Sequence, residues 1–228
     1  MRKSLLLAAI ASAAIAAPAS ATVTINFENI SALTGTQILN FYNGGTASNG
    51  ASGTNRGVSF ATNALTLCLN TPGHPCSAAS RGGQGDAASA LTGMLFQTGT
   101  STSLTDAAGF TSGISFFYVA NAAGTVQIFD GVNGTGNLLA SLGLSSNAVS
   151  CRAPYNADFC PFSLVTLGFS GTGRSVVFGG TAGHIVFDDI SLGVVSLPEP
   201  ASWAMMLIGF AAAGAALRRN RRRPVALT

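Results

Sequence analysis

Thr125-Val126-Gln127-Ile128-Phe129, then Asp130-Gly131-Val132-Asn133-Gly134-Thr135-Gly136-Asn137, then Leu138-Leu139-Ala140-Ser141-Leu142, reads as one β-hairpin. Two short apolar runs flank a linker whose Asp-Gly and Asn-Gly pairs supply the positive-φ positions that turns require. Outward from it the same signature recurs. Short apolar or alternating runs stand at 22–27, 57–61, 65–69, 94–96, 114–119, 163–169, 175–178 and 184–192, each bounded by Gly, Asn, Ser or Thr. No stretch between residues 22 and 197 sustains helical periodicity beyond about two turns. Eleven of the thirteen phenylalanines from Phe27 to Phe187, all but Phe41 and Phe159, are expected to supply the bulk of a core. The expected fold is all-β: a β-sandwich of jelly-roll-like build, not a bundle.

Two stretches break the pattern. Asn43–Arg56 and Ser77–Ala90 are rich in Gly, Ser, Asn and Ala and nearly free of large side chains, so they are expected to be surface loops that bury little.

The 228 residues leave room for one ordinary domain with targeting segments at either end. Net charge is +3, and seven of the eleven basic residues lie at the two ends. Between Thr22 and Leu197 four arginines oppose seven acids, a net of −3 with no lysine. A nucleic-acid partner is therefore not expected, because phosphate neutralisation needs a clustered basic face. Residues 1–21 read as a secretory signal peptide. Arg2-Lys3 is the positive head, Leu5–Ala17 is apolar apart from Ser12, and Ala19 and Ala21 are the small residues a signal peptidase inspects. That leaves 22–196 as the ectodomain.

Export allows thiols to pair. The four cysteines lie close in sequence as Cys68 with Cys76 and Cys151 with Cys160, and two local loop staples are the expected arrangement. Cross-pairings, or a metal site with His74, are the alternatives. The Cys-x-x-Cys spacing usual for zinc is missing.

The chemistry of the central domain is sparse. His184, Val186 and Asp188 would share one face of the last strand, bringing a histidine near an acid. No Gly-x-Ser-x-Gly elbow accompanies them, no phosphate loop ends in Lys-Ser or Lys-Thr, and Asp188-Asp189 would point to opposite faces of a strand. The absence of lysine removes Schiff-base chemistry. No enzyme and no catalytic residue is expected, and no cofactor is required.

The segment 197–223 is different in kind. Pro198-Glu199-Pro200 precedes a charge-free stretch over 201–217, which is followed by Arg218, Arg219, Arg221, Arg222 and Arg223, with 224–228 a short tail. Seventeen uncharged residues are at the short end of a bilayer-spanning helix, Trp203 sits where an interfacial aromatic belongs, and the arginines predict a cytoplasmic C-terminus. Membrane lipid is thus one partner. This arrangement resembles the PEP-CTERM sorting signal in its Pro-Glu-Pro-x-x-Trp-Ala variant, carried by Pro198, Glu199, Pro200, Trp203 and Ala204. The resemblance implies processing by an exosortase-type membrane protease or transpeptidase. It also implies an inner-membrane-anchored precursor, a final place at the cell surface or in the extracellular matrix, and a link to exopolysaccharide and biofilm.

A second resemblance lies in the central domain. Ile25-Asn26-Phe27-Glu28, with Ile185-Val186-Phe187-Asp188-Asp189-Ile190-Ser191-Leu192, is similar to the first and last strands of galactose-binding-like jelly rolls among carbohydrate-binding modules. It implies a structural Ca²⁺ on Glu28, Asp188 and Asp189, since hard oxygen ligands suit that ion. Polysaccharide becomes a candidate partner, with Tyr42, Tyr118 and Tyr155 as stacking platforms in place of absent tryptophans.

Two functional expectations of different class follow. One is a non-catalytic surface or matrix protein sorted through its tail; the other is a calcium-stabilised carbohydrate-binding module.

Overall fold

The computed structural model describes residues 22–31, 33–69, 92–150 and 159–193, together with a few helical positions between 209 and 218. Eleven strands occupy this region: β1 Val23–Ile25, β2 Val58–Phe60, β3 Ala64–Cys68, β4 Thr92–Phe96, β5 Ser101–Phe110, β6 Gly113–Ala120, β7 Gly124–Phe129, β8 Leu138–Leu144, β9 Ser163–Gly168, β10 Gly173–Gly180 and β11 Ile185–Leu192. They form two wholly antiparallel sheets. One runs β3-β4-β11-β6-β9 with β1 also on β11, and the other runs β2-β5-β10-β7-β8. Antiparallel ladders let each strand bury one face and wet the other, which is why short alternating runs suffice.

The anchoring hairpin forms as expected, with Val126 opposite Leu142 and Ile128 opposite Ala140. Its turn differs in detail. Asn133 (φ 54°), Gly134 (φ 73°) and Gly136 (φ 84°) take positive φ, whereas Gly131 has φ −101°. Gly131 is required for space instead, because a Cβ there would lie 2.5 Å from the Thr135 carbonyl oxygen.

β5 was not expected. Ser101-Thr-Ser-Leu-Thr-Asp-Ala-Ala-Gly-Phe110 carries few apolar side chains, yet it sits inside the second sheet, paired with β2 on one side and β10 on the other. Hydroxyl-bearing side chains suit such a strand: the buried Thr102 donates from Oγ1 to Asn63 Oδ1 at 2.9 Å, while the ladder hydrogen bonds hold the backbone. At its far end the Asp106 carboxylate accepts the N–H groups of Ala108 and Gly109, both at 3.1 Å, and the register with β10 shifts.

The core lies between the sheets. Phe116 on β6, Phe178 on β10 and Phe187 on β11 are fully buried and meet edge-on or tilted, with Phe178 and Phe187 joining the two sheets at a centroid distance of 4.7 Å. A second aromatic group, Phe27, Phe41, Tyr42 and Phe60, belongs to the same core; Phe27 and Phe60 are 5.8 Å apart and Phe41 and Tyr42 are 4.9 Å apart. A smaller cluster of Leu67, Leu69, Leu95, Val119, Phe162 and Val186 is separate from it.

The stretch 43–56 has no strand, as expected, but it is built and not mere filler. Ala47 N–H donates to the Ala51 carbonyl at 2.9 Å, Asn49 Nδ2 donates to the Ile30 carbonyl at 2.8 Å, and Ala47 is buried. The other expected loop, 77–90, lies outside the described residues, as do the signal segment, the Pro198–Pro200 motif and most of 201–223. Among the described residues no helix is long and apolar enough to cross a membrane.

Candidate functional site

β11 is flanked on one side by two strands in succession: β4 meets it at Phe187 and β1 at Ile190–Leu192. Between those contacts lie Asp188 and Asp189. The register of β11 against β6 slips by one residue here, from Asp188↔Phe117 to Ser191↔Ser115, and Asp189 takes φ 46°. This is a β-bulge. It breaks the period-two alternation that would have sent the two acids to opposite faces of a regular strand. Asp188 is fully buried and accepts the Asp189 N–H on Oδ1 at 2.8 Å.

Glu28 enters the same notch from the chain just past β1, between two positive-φ residues, Phe27 (φ 59°) and Asn29 (φ 65°). Its Oε1 accepts the Thr92 N–H at the start of β4, 3.1 Å away. Burial raises its pKa from 4.5 to about 7; the Thr92 N–H opposes the rise and the negative charge of Asp189 adds to it. Tyr42 packs close by. Burial pushes its pKa well up; the Phe27 main chain and the Arg56 charge oppose the rise, and the charges of Glu28 and Asp188 add to it. The structure therefore brings Glu28 and Asp189 into electrostatic contact beside Asp188, through residues far apart in sequence. Among the described residues no three His, Cys, Asp or Glu side chains form a group that could hold a metal ion, so the three acids named by the resemblance do not converge as one ligand set, and a cation in the notch would need main-chain carbonyls beside fewer carboxylates.

His184 does not join Asp188. It precedes β11, and its Nδ1 lies 2.6 Å from Asn121 Oδ1. Together with Leu67, Leu95, Phe159 and Val186 it lines an apolar pocket of about 110 Å³. Tyr42 and Tyr118 are buried, Tyr118 donating to the Ser145 carbonyl at 3.2 Å, so neither is a stacking platform. Tyr155 lies outside the described residues. Cys68 and Cys160 are not free thiols; Cys76 and Cys151 are outside the described residues, so the pairing remains an expectation.

A second concavity lies on the outer face of the five-stranded sheet. It is a groove of about 360 Å³ over β5, β10 and β7. Ser103, Val177 and Gln127 form one row across its floor and Phe129 stands in the next. One wall is the turn after β2. There Asn63 Nδ2 donates to the Thr98 and Ser101 carbonyls at 3.0 and 2.8 Å. The other wall is the hairpin loop, whose 3-10 turn Val132–Gly134 is pinned to the sheet. Thr105 Oγ1 donates to Asn133 Oδ1 at 3.0 Å, Gly134 N–H donates to Ser175 Oγ at 2.9 Å, and Ser175 Oγ donates to the Gly131 carbonyl at 2.6 Å. Sequence reasoning missed this groove. Its only trace was the hydroxyl-rich run of β5, which has no meaning until β10 and β7 lie beside it.

The comparisons with known proteins bear on the tail. Residues 196–223 match the family model of the PEP-CTERM protein-sorting motif. The match spans Pro198-Glu199-Pro200, the apolar segment and the arginine cluster, the residues from which the resemblance was read. Such a motif marks an exported protein that is sorted by an exosortase-type enzyme. Among solved structures, the K2 cleaved adhesin domain of Lys-gingipain is similar at a TM-score of 0.44 and 11% identity, covering 75% of this chain and 99% of that one. No curated protein matches the chain in sequence.

Proposed function

We propose that this is a non-catalytic exported protein of the cell surface or exopolysaccharide matrix, delivered by its tail. The observation that supports this most is the sorting-motif match over 196–223. In this reading Pro198, Glu199, Pro200, Trp203 and Ala204 are what the exosortase recognises. The segment 201–217 holds the precursor in the inner membrane, and Arg218 to Arg223 keep the C-terminus cytoplasmic. The β-sandwich is the cargo. Its lone described histidine pairs with an amide, not with an acid, so among the described residues no histidine–acid pair of the kind used in acyl transfer is formed. Mass spectrometry of the mature chain from producing cells tests the sorting step. Loss of the arginine cluster is the expected result, and a mature chain that keeps Arg218 to Arg223 would make the tail a plain anchor.

A second reading, favoured by the notch, is a calcium-stabilised binding module. What supports it is the repulsion between the Glu28 and Asp189 charges, which a hard divalent cation would relieve. Glu28 with Asp188 or Asp189 would supply the carboxylate oxygens, and main-chain carbonyls would complete the shell. The check is thermal unfolding with Ca²⁺ and with EGTA, and identical melting temperatures would remove the ion from the account.

A further inference from the structure

We propose that the groove on the outer face of the five-stranded sheet binds a neutral glycan segment, with Gln127, Ser101 and Ser103 supplying hydrogen bonds and Phe129 with Val177 an apolar rest. This deepens the binding-module reading and rests on it.

The division of labour among the polar side chains points there. Asn63, Thr105, Asn133 and Ser175 are committed to one another and to main-chain groups, and so build the walls. The Gln127 amide and the Ser101 and Ser103 hydroxyls, by contrast, make no side-chain hydrogen bond among the described residues. They face outward from the sheet: Gln127 is laddered on both sides, and Ser101 and Ser103 are laddered to β10 on one side and held on the other by the turn after β2, where Asn63 Nδ2 and the Ala61 N–H donate to their carbonyls. Because the backbone is fixed before a ligand arrives, binding need order only two short hydroxyls and one amide side chain. A groove of about 360 Å³ is also of the size that takes a small ligand or a short piece of a polymer.

The lining has no charged side chain. That matches a ligand whose hydrogen-bonding groups are hydroxyls, each able to donate and accept as amides and serines require. An acidic polysaccharide would find no cation in the groove and would meet a domain whose net charge is −3 between residues 22 and 197. A peptide fits less well. Peptides that dock on sheets add a strand to an open edge, whereas β10 and β7 are paired on both sides and the β5 edge beyond its short ladder with β2 is covered by the turn at 61–63, with Ala61 N–H on the Ser103 carbonyl at 2.9 Å. Phe129 and Val177 offer the apolar patch on which the C–H face of a sugar ring can lie.

Calorimetric titration of the mature chain from producing cells tests this. The probes are β-glucan, galactan and mannan oligosaccharides, polygalacturonate and a set of unstructured peptides. Saturable binding of at least one neutral oligosaccharide is expected. Gln127→Ala should weaken it roughly 5-fold, the value of one lost hydrogen bond, and Ser103→Phe, which fills the floor, should abolish it, both with the wild-type far-UV spectrum and melting temperature. A neutral glycan bound equally by wild type and Gln127→Ala overturns the groove assignment while leaving the binding-module reading standing. Binding of polygalacturonate or peptide alone overturns the ligand class. No binding to any probe overturns the groove and the binding-module reading together.

Discussion

Replacing Glu28 with Gln should make the sandwich more stable at pH 8 and leave it unchanged at pH 4, when Ca²⁺ is chelated. Burial at the notch, reinforced by Asp189, raises the Glu28 pKa from 4.5 to about 7. The native state therefore holds this proton over a range where the unfolded chain has lost it. By linkage, stability falls as pH rises from about 4.5 to about 7 and is flat on either side, because the folded form binds more protons in that window. A shift of this size would amount to about 3 kcal/mol at 1.36 kcal/mol per unit. Glu28 is only half-buried, so solvent screening reduces it to about 1–2 kcal/mol. Gln has the same shape and mimics the protonated acid; it can still accept the Thr92 N–H on its amide oxygen. The assay is thermal unfolding in EGTA from pH 4 to pH 8 for wild type and Glu28→Gln. For a domain of this size the two should coincide at pH 4 and separate by roughly 3–6 °C at pH 8, the variant melting higher. Parallel curves across the whole range, or a variant less stable at pH 8, would show that Glu28 is not held against its charge and would refute the electrostatic account of the notch. Added Ca²⁺ sharpens the contrast: if the ion binds there, it should stabilise wild type above pH 7 and leave Glu28→Gln little changed.

Other expectations concern the scaffold. Phe187→Ala removes a fully buried ring that touches Phe116 on the neighbouring strand and Phe178 across the sandwich, so chemical denaturation should show a loss of about 3–5 kcal/mol. Gly134→Ala should cost about 1–2 kcal/mol, because φ is 73° and the new Cβ would sit 2.7 Å from Val177 Cγ2. Gly143→Ala, with nothing within 4 Å, should change stability by less than about 0.5 kcal/mol in the same denaturant titration. A non-reducing peptide map should link Cys68 to Cys76 and Cys151 to Cys160; a bridge between the two pairs would contradict the local staples.

The strands that carry alternating apolar residues were legible because burial of one face imposes a period of two. The hairpin from β7 to β8 is the clearest case, and ten of the eleven strands lie on runs read from the sequence. β5 was not legible. Ser and Thr had been read as strand boundaries, but a strand paired on both sides is held by its ladders and can be polar. Tyr42 looked like a free platform because its phenol could serve at a surface or in a core; packing against Phe27, Phe41 and Phe60 decided for the core.

The sites divide along the same line. The tail could be read whole, since a motif, an apolar stretch and an arginine cluster act in sequence order on a membrane and an enzyme that meet them as a linear string. The notch could be read only as a set of acids. Their grouping needed the β11 bulge, which depends on a register against β6, and the bond from Glu28 to Thr92 across 64 residues. The groove could not be read at all, because it is made by three strands that are neighbours only in the sheet. The sequence by itself determined the β class, the address and the chemistry available. Tertiary structure decided which side chains were spent on building walls and which were left facing a ligand, because satisfaction of a polar group depends on neighbours distant in the chain.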